Sequence, residues 1–413
     1  MKRTSPWRFV PALLILIPYG TAHAINGTPT WFQSVVAAPS PSKQITAPSL
    51  AFDHYGTPSV SWSDVTNSGG SNTIFRSTTN GLGFWSQHTV AAGADVGILT
   101  ALSFDRAERP TVAWIDRNGA VSTQFDDAIN QTLSPMAGNA PPAMSISHDL
   151  TGTLRGAFAS TAAGTVYDIN GAVGSHASAS IGTFANVSNI LDLRLTTDHS
   201  GRRHVIARVS LTTNNQGVLV ASEPVDGGAW ASTLLATADS VGGVAIATSP
   251  VDGKIALAYT TLAAGTNLSK LVYAKSTGTI LQSTDVQSSN TAIFEDIDLA
   301  FDLSDGRPAI AYERKMLAPF AQEIRFAYEN ASSVWQTSLI DGTASLDNPF
   351  GLPRRPSLAF DDYGTSWPAV AYTDANGSLN VAFDPPAPEP ATALLAALVA
   401  PVLLRRRRNS ATA

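Results

Sequence analysis

The chain has 413 residues, no cysteine, 26 basic and 32 acidic residues and a formal net charge of −6. The lack of cysteine excludes disulfides, thiolate metal sites and a cysteine nucleophile in one step. Setting aside the seven basic residues at the ends (Lys2, Arg3, Arg8 and Arg405–Arg408) leaves 19 basic against 32 acidic residues, or −13, which argues against nucleic acid and anionic membrane surfaces as partners.

Residues 1–24 have the layout of a secretory signal peptide. Lys2, Arg3 and Arg8 form a basic start, Phe9–Tyr19 an apolar run, and Ala22-His23-Ala24 a small-residue cleavage site with cleavage expected after Ala24. The run is too short for a membrane anchor and is broken by Pro11 and Pro18. The next element is an isolated strand, Trp31–Val36.

From there the chain repeats itself. Leu50–Trp62 (LAFDHYGTPSVSW) returns in altered form at Leu102, Ile146, Leu195, Ala247, Leu299 and Leu358, at spacings of 52, 44, 49, 52, 52 and 59 residues. A near-fixed period in this range marks an array of similar supersecondary units. Each copy reads as strand, tight turn, strand. The turn carries an Asp (Asp53, Asp105, Asp149, Asp198, Asp302, Asp361) and, three or four residues on, a Gly (Gly56, Gly152, Gly201, Gly253, Gly306, Gly364). Asp accepts hydrogen bonds from the backbone just after it and Gly takes positive φ without strain, so the pair specifies a turn. The second strand carries a small residue beside an aromatic one, as in Val60-Ser61-Trp62 and Ile310-Ala311-Tyr312. Two further strands follow, clearest at Asn72–Val90 and Ile324–Ile340. Trp31, Trp85, Trp230 and Trp335 head the outer strands.

Residues 25–384 therefore predict one all-β domain, a seven-bladed β-propeller with four antiparallel strands per blade. The seventh copy supplies Ser357–Phe360, Pro368–Tyr372 and Leu379–Phe383 but no fourth strand. The orphan strand Trp31–Val36 is predicted to pair with Leu379–Phe383, close the ring and cover its edge.

Residues 385–413 change composition abruptly. Pro388-Glu389-Pro390 precedes the 14-residue apolar run Ala391–Leu404, then Arg405, Arg406, Arg407 and Arg408, which would stay on the cytoplasmic side of a transmembrane helix. This order resembles the PEP-CTERM sorting signal of Gram-negative bacteria. The resemblance implies transient inner-membrane anchoring, recognition by an exosortase-type membrane protease, and release to the cell surface or an extracellular matrix associated with polysaccharide.

Motifs for chemistry are missing. There is no HExxH, no GxSxG and no GxxxxGK[ST]. The six histidines after residue 24 are scattered, and the repeated Asp lacks the alternating oxygen ligands of a calcium loop, so neither a metal nor another cofactor is expected. The Asp–Gly turn resembles in part the Asp-box of sialidase-type propellers, but two residues separate Asp and Gly where that box has one. The sequence also lacks the arginine motif of such enzymes.

In a propeller the mouth of the central channel is formed by loops entering the innermost strand and loops leaving the second. The entering loops contain Glu295, Asp296, Asp298, Asp347, Arg354 and Arg355; those leaving the second strand start with Asp64, Asp116, Glu313 and Asp374. Carboxylates and guanidinium groups there suit sugar hydroxyls. The expectation is an exported binding or scaffold module for polysaccharide or another surface protein. A glycan-active hydrolase or lyase using carboxylates at the channel mouth is the alternative.

Overall fold

The structure, a computed structural model, describes residues 29–384 apart from 41, 67–70, 80–83, 95, 98, 117–119, 128, 133–142, 150, 160–163, 172–176, 225–227, 278–280, 318–319, 344–353 and 362–365. The expected signal peptide with Ala22 and Ala24, the expected sorting tail with Pro388, Glu389, Pro390 and Arg405–Arg408, and Asp347 all lie outside the described residues. Every regular element among the described residues is a β-strand, and no helix there is long and apolar enough to cross a membrane.

The strands form seven antiparallel four-stranded sheets, each a blade of a seven-bladed propeller. From inside outward, blade 1 is Lys43–Phe52, Pro58–Thr66, Asn72–Thr79 and Trp85–Gly93. Blade 2 is Leu99–Phe104, Pro110–Ile115, Val121–Phe125 and Ile129–Thr132. Blade 3 is Met144–His148, Leu154–Ala159, Thr165–Gly171 and Ala177–Thr183. Blade 4 is Val187–Thr197, Arg203–Leu211, Gln216–Ser222 and Ala231–Ala238. Blade 5 is Val244–Thr248, Ile255–Ala263, Leu268–Ser276 and Leu281–Ser289. Blade 6 is Ala292–Phe301, Pro308–Leu317, Phe320–Glu329 and Trp335–Thr343. Blade 7 is Ser357–Phe360, Pro368–Thr373, Leu379–Phe383 and, from the other end of the chain, Phe32–Ala37. The inner strands neighbour one another in sequence order, and those of blades 7 and 1 meet to close the ring.

The closure takes the predicted partners. Phe32 lies opposite Phe383, Gln33 opposite Ala382 and Ser34 opposite Val381, with a bulge between Val35 and Ala37. Trp31 stacks edge-on against Phe326 of blade 6, centroids 5.1 Å apart, and its Nε1–H donates to Ser338 Oγ at 3.2 Å. One blade further round, Trp85 Nε1–H donates to Ser34 Oγ at 3.0 Å. Each ring covers the outer edge of the preceding blade and places its polar atom on a partner.

The repeated Asp organises the turn inside each blade. Asp53 Oδ1 accepts the N–H of Tyr55 (2.9 Å) and of Thr57 (2.8 Å), while Gly56, at φ 76°, donates to the Asp53 carbonyl. Asp105, Asp149 and Asp198 make the same pair of bonds to the residues two and four positions on. In blade 2 Glu108 occupies the Gly position and takes φ 65°. The fifth copy is shifted by one residue from its apparent start: Ile246, opposite Leu257, is the counterpart of Leu50 opposite Val60, and Ser249 stands where the other blades have Asp.

The core is distributed between blades. A buried apolar cluster fills each of the seven blade interfaces. The small residues of the second strand make this packing possible: Ser61, Ala113, Ala157, Ala258, Ala311 and Ala371 are all fully buried. Their neighbours Trp62, Trp114, Phe158, Tyr259, Tyr312 and Tyr372 supply the bulk. Blade 4 inverts the arrangement, with Ile206 in the small position and Ala207 in the aromatic one. That exchange moves the larger side chain to the other face of the blade, where Ile206 packs in the interface with blade 5.

Candidate functional site

Side chains one residue before the repeat's leading apolar residue connect the inner strands. Ser49 Oγ accepts the Leu102 N–H, Ser145 Oγ the Leu195 N–H and Ser357 Oγ the Leu50 N–H, at 3.0, 3.1 and 3.0 Å. Asp298 Oδ2 does the same for Leu358 N–H at 2.8 Å, and Asp298 Oδ1 accepts the Leu299 N–H at 3.0 Å. Blade 4 places Arg194 at this register.

Two residues further toward the start of the inner strand the backbone is irregular in several blades. Bulges fall between Thr46 and Ser49, Ile190 and Asp192, and Glu295 and Ile297. Ala47, Asp296 and Arg355 occupy the same repeat position with φ of 47°, 40° and 32°. Bulges re-aim side chains, and non-glycine residues held at positive φ cost on the order of 1–3 kcal/mol. In blades 4, 6 and 7 that position carries a charge: Asp192, Asp296 and Arg355.

These irregular starts bring a charged cluster together on the channel side of blades 4, 6 and 7. Arg194 Nη1 donates to Asp192 Oδ1 at 2.9 Å. Burial pushes the Asp192 carboxyl up, but Arg194, Arg355 and Arg208 more than offset that and hold it below the usual carboxylate range. Arg208 Nη1 donates to the carbonyls of Val241 and Gly242, at 3.0 and 3.2 Å. In blade 6, Glu295 lies directly opposite Glu313, a like-charge pairing that is destabilising without a cation. Lys315 supplies the cation, with Nζ 2.7 Å from Glu295 Oε2 and 3.9 Å from Glu313 Oε2.

Glu313 is 1% exposed, and neither carboxylate oxygen has a hydrogen-bond partner among the described residues. Burial, opposed by Lys315 and reinforced by Asp296, pushes its carboxyl up to about 7. Asp296 Oδ2 is likewise buried without a hydrogen-bond partner, and burial raises its carboxyl against the pull of Arg355. Burial also raises Asp298, against the pull of Arg194. Arg354 is 3% exposed; its charge acts on Glu313 and on Asp341, whose carboxyl burial raises and to which Asp374 adds.

Of the residues expected at the channel mouth, Glu295, Asp296, Glu313, Arg354 and Arg355 fall in this one cluster, with Asp374 at its blade 7 margin. Asp64 lies apart in blade 1, 3.6 Å from Lys43. Asp116 and Asp374 hold turns: Asp116 Oδ1 accepts the Ala120 N–H, and Asp374 Oδ1 accepts those of Asn376 and Ser378. Sequence reasoning missed Asp192, Arg194, Arg208 and Lys315. The signal was present in the repeat itself. Arg208 and Glu313 stand where other blades have Ser63, Ile115 and Ala159, and Arg194 and Asp298 where they have serine or alanine.

A cavity of about 160 Å³ lies on the channel among the inner strands. Blades 1–3 line it with small and apolar residues, including Pro48, Ala101 and Met144, and blades 4, 6 and 7 with Arg194, Asp298, Arg355 and Ser357. Among the described residues no group of histidine and carboxylate side chains is arranged to hold a metal ion.

No protein-family model and no curated protein matches the sequence. Solved structures do match in fold. A protein of unknown function from Dyadobacter fermentans superposes with a TM-score of 0.52 at 11% identity, covering 85% of this chain and 97% of that one. The BP39L lectin from Burkholderia pseudomallei gives a TM-score of 0.52 at 12% identity, covering 86% of this chain and 97% of its own. At this identity the likeness is one of architecture: this chain is similar to both in being a propeller.

Proposed function

We propose that the protein is an exported, surface- or matrix-associated propeller that binds polysaccharide at the mouth of its channel. The observation that carries this reading is the cavity walled by Arg194, Asp298 and Arg355 on one side and, on the other, by apolar residues such as Pro48, Leu99 and Met144 interspersed with Ser49 and Ser145. Sugar rings present hydroxyls at their edges and C–H groups on their faces, so a mainly polar pocket with an apolar patch suits them. That a lectin shares the architecture supports the reading. Export and release rest on the signal peptide and on the PEP-CTERM-like tail, with an exosortase-type protease as the processing partner.

One observation favours a second reading, a glycan-active hydrolase or lyase. Glu313 titrates near neutrality beside Asp296 and Glu295, as a general acid would. Against it, Glu313 is 1% exposed and does not line the cavity, so binding is the better account.

The test is a panel of bacterial polysaccharides, scored for both retention and cleavage, on protein recovered from its native host's surface fraction. Retention without shortening of the polymer is expected, on material whose intact mass lacks residues after Pro390. Chain shortening would favour the enzyme, and a blank panel would contradict both readings. Surface protein that still carries Ala391–Ala413 would contradict the sorting step.

A further inference from the structure

The cavity has donors to spare and acceptors already used. Both Asp298 oxygens are engaged by backbone N–H groups of Leu299 and Leu358, and Oδ2 also lies 3.4 Å from the Ser357 hydroxyl. The carboxylate is therefore spent on holding two inner strands together. Thr100 Oγ1–H is likewise committed, donating to the Ala47 carbonyl at 3.0 Å. In contrast, Ser49 and Ser145 use their oxygens as acceptors from the backbone, which leaves the hydroxyl protons to donate. Arg355 lines the same cavity, and its buried Nε–H has no hydrogen-bond partner among the described residues. Arg194 adds a second guanidinium, of which Nη1 is engaged by Asp192 and the Leu193 carbonyl.

A buried donor without an acceptor is costly, and the group that removes that cost must accept hydrogen bonds. Asp192 and Asp296 stand near Arg194 and Arg355 as counter-charges but do not line the cavity. Of the charged groups that do, two are guanidinium donors and the third is the engaged Asp298, so the groups left to meet a ligand favour an acceptor, and guanidinium pairs best with the planar fork of a carboxylate. The opposite wall, with Pro48, Leu99 and Met144, asks for an apolar face.

We propose that the cavity takes a carboxylated sugar unit, a uronic acid, with its carboxylate on Arg355 and Arg194. Its ring face packs against the wall from blades 1–3. Its hydroxyl oxygens accept from the Ser49 and Ser145 hydroxyls. This inference rests on the channel mouth being the ligand site and names the class of saccharide it selects.

The experiment is calorimetric titration of the full chain with D-glucuronate, D-glucose and inorganic phosphate, repeated on Arg355→Gln and over a range of salt. Glucuronate should bind at least tenfold more tightly than glucose, weaken with rising salt, and lose about tenfold or more in the variant, the scale of a charge-assisted hydrogen bond. The salt series on the unaltered protein keeps the test valid should the variant fold poorly. Equal binding of glucose and glucuronate would overturn the anion preference while leaving a saccharide-binding channel. Phosphate bound as tightly as glucuronate would overturn the sugar class in favour of a plain anion site. No binding of glucuronate by a protein that retains neutral polysaccharides would also overturn the inference. A blank polysaccharide panel, by contrast, removes the functional reading itself.

Discussion

Glu313 shows how much the charged cluster strains the fold. It is a carboxyl buried in the second strand of blade 6, facing Glu295 across the ladder, with Lys315 as its nearest counter-charge. Its folded pKa of about 7 lies above the ordinary 4.5, so the folded state holds the proton more tightly than the unfolded state. The stability from that proton is fully present below pH 4.5 and is lost as pH rises to about 7. The loss is on the order of 3 kcal/mol. Glu313→Gln keeps the shape and removes the titration. Thermal melts at pH 5 and pH 8 should show the variant gaining on the parent at the higher pH. Parallel pH profiles for the two proteins would show that Glu313 is not the strained group.

At the scale of the strand, the ring closure is the feature the sequence showed most fully. Seven copies demand seven fourth strands, the seventh copy lacks one, and Trp31–Val36 is the spare. The observed strand, Phe32–Ala37, starts one residue later and lies against Leu379–Phe383 in the expected direction. What the sequence hid was the bulged beginning of the inner strands. Period-two alternation reads faces only while the register holds, and at Asp192 and Asp296 a bulge breaks it. Arg194 could have been found by aligning the copies backward from Leu195, as Asp298 stands before Leu299. The tight turn dominated the repeat, because Asp and Gly are chemically constrained there while the channel-lining positions are free to vary. Blade 5 was misphased for a related reason: Ser249 takes the turn position of Asp, so the usual marker is absent. Deleting residues 25–38 removes both the Phe32–Ala37 ladder and the Trp31 contact with blade 6. It should lower the melting temperature of the whole domain in a single transition, by on the order of 5–10 °C. A truncated domain that melts like the intact one would contradict closure as a source of stability.

At the scale of the molecule, the seven blades are alike in packing and unlike on the channel side. Every interface has its apolar cluster, and six of seven second strands keep the small-plus-aromatic pair. Charge is concentrated on blades 4, 6 and 7, while blades 1–3 present serine, alanine, leucine and methionine to the same cavity. A ring that needed only to be stable would have no use for buried Glu313 and Arg354 or half-buried Arg194 and Asp296, since buried charges cost more than the apolar residues that could replace them. On the proposed function, ligand is held in the channel and not in the grooves between blades. The most direct measurement is a crystal structure of the domain with an oligosaccharide that it retains. Density for a sugar ring between Arg194, Asp298 and Arg355 is the predicted result. Density confined to the clefts between neighbouring blades, with the channel cavity holding only water, would contradict it.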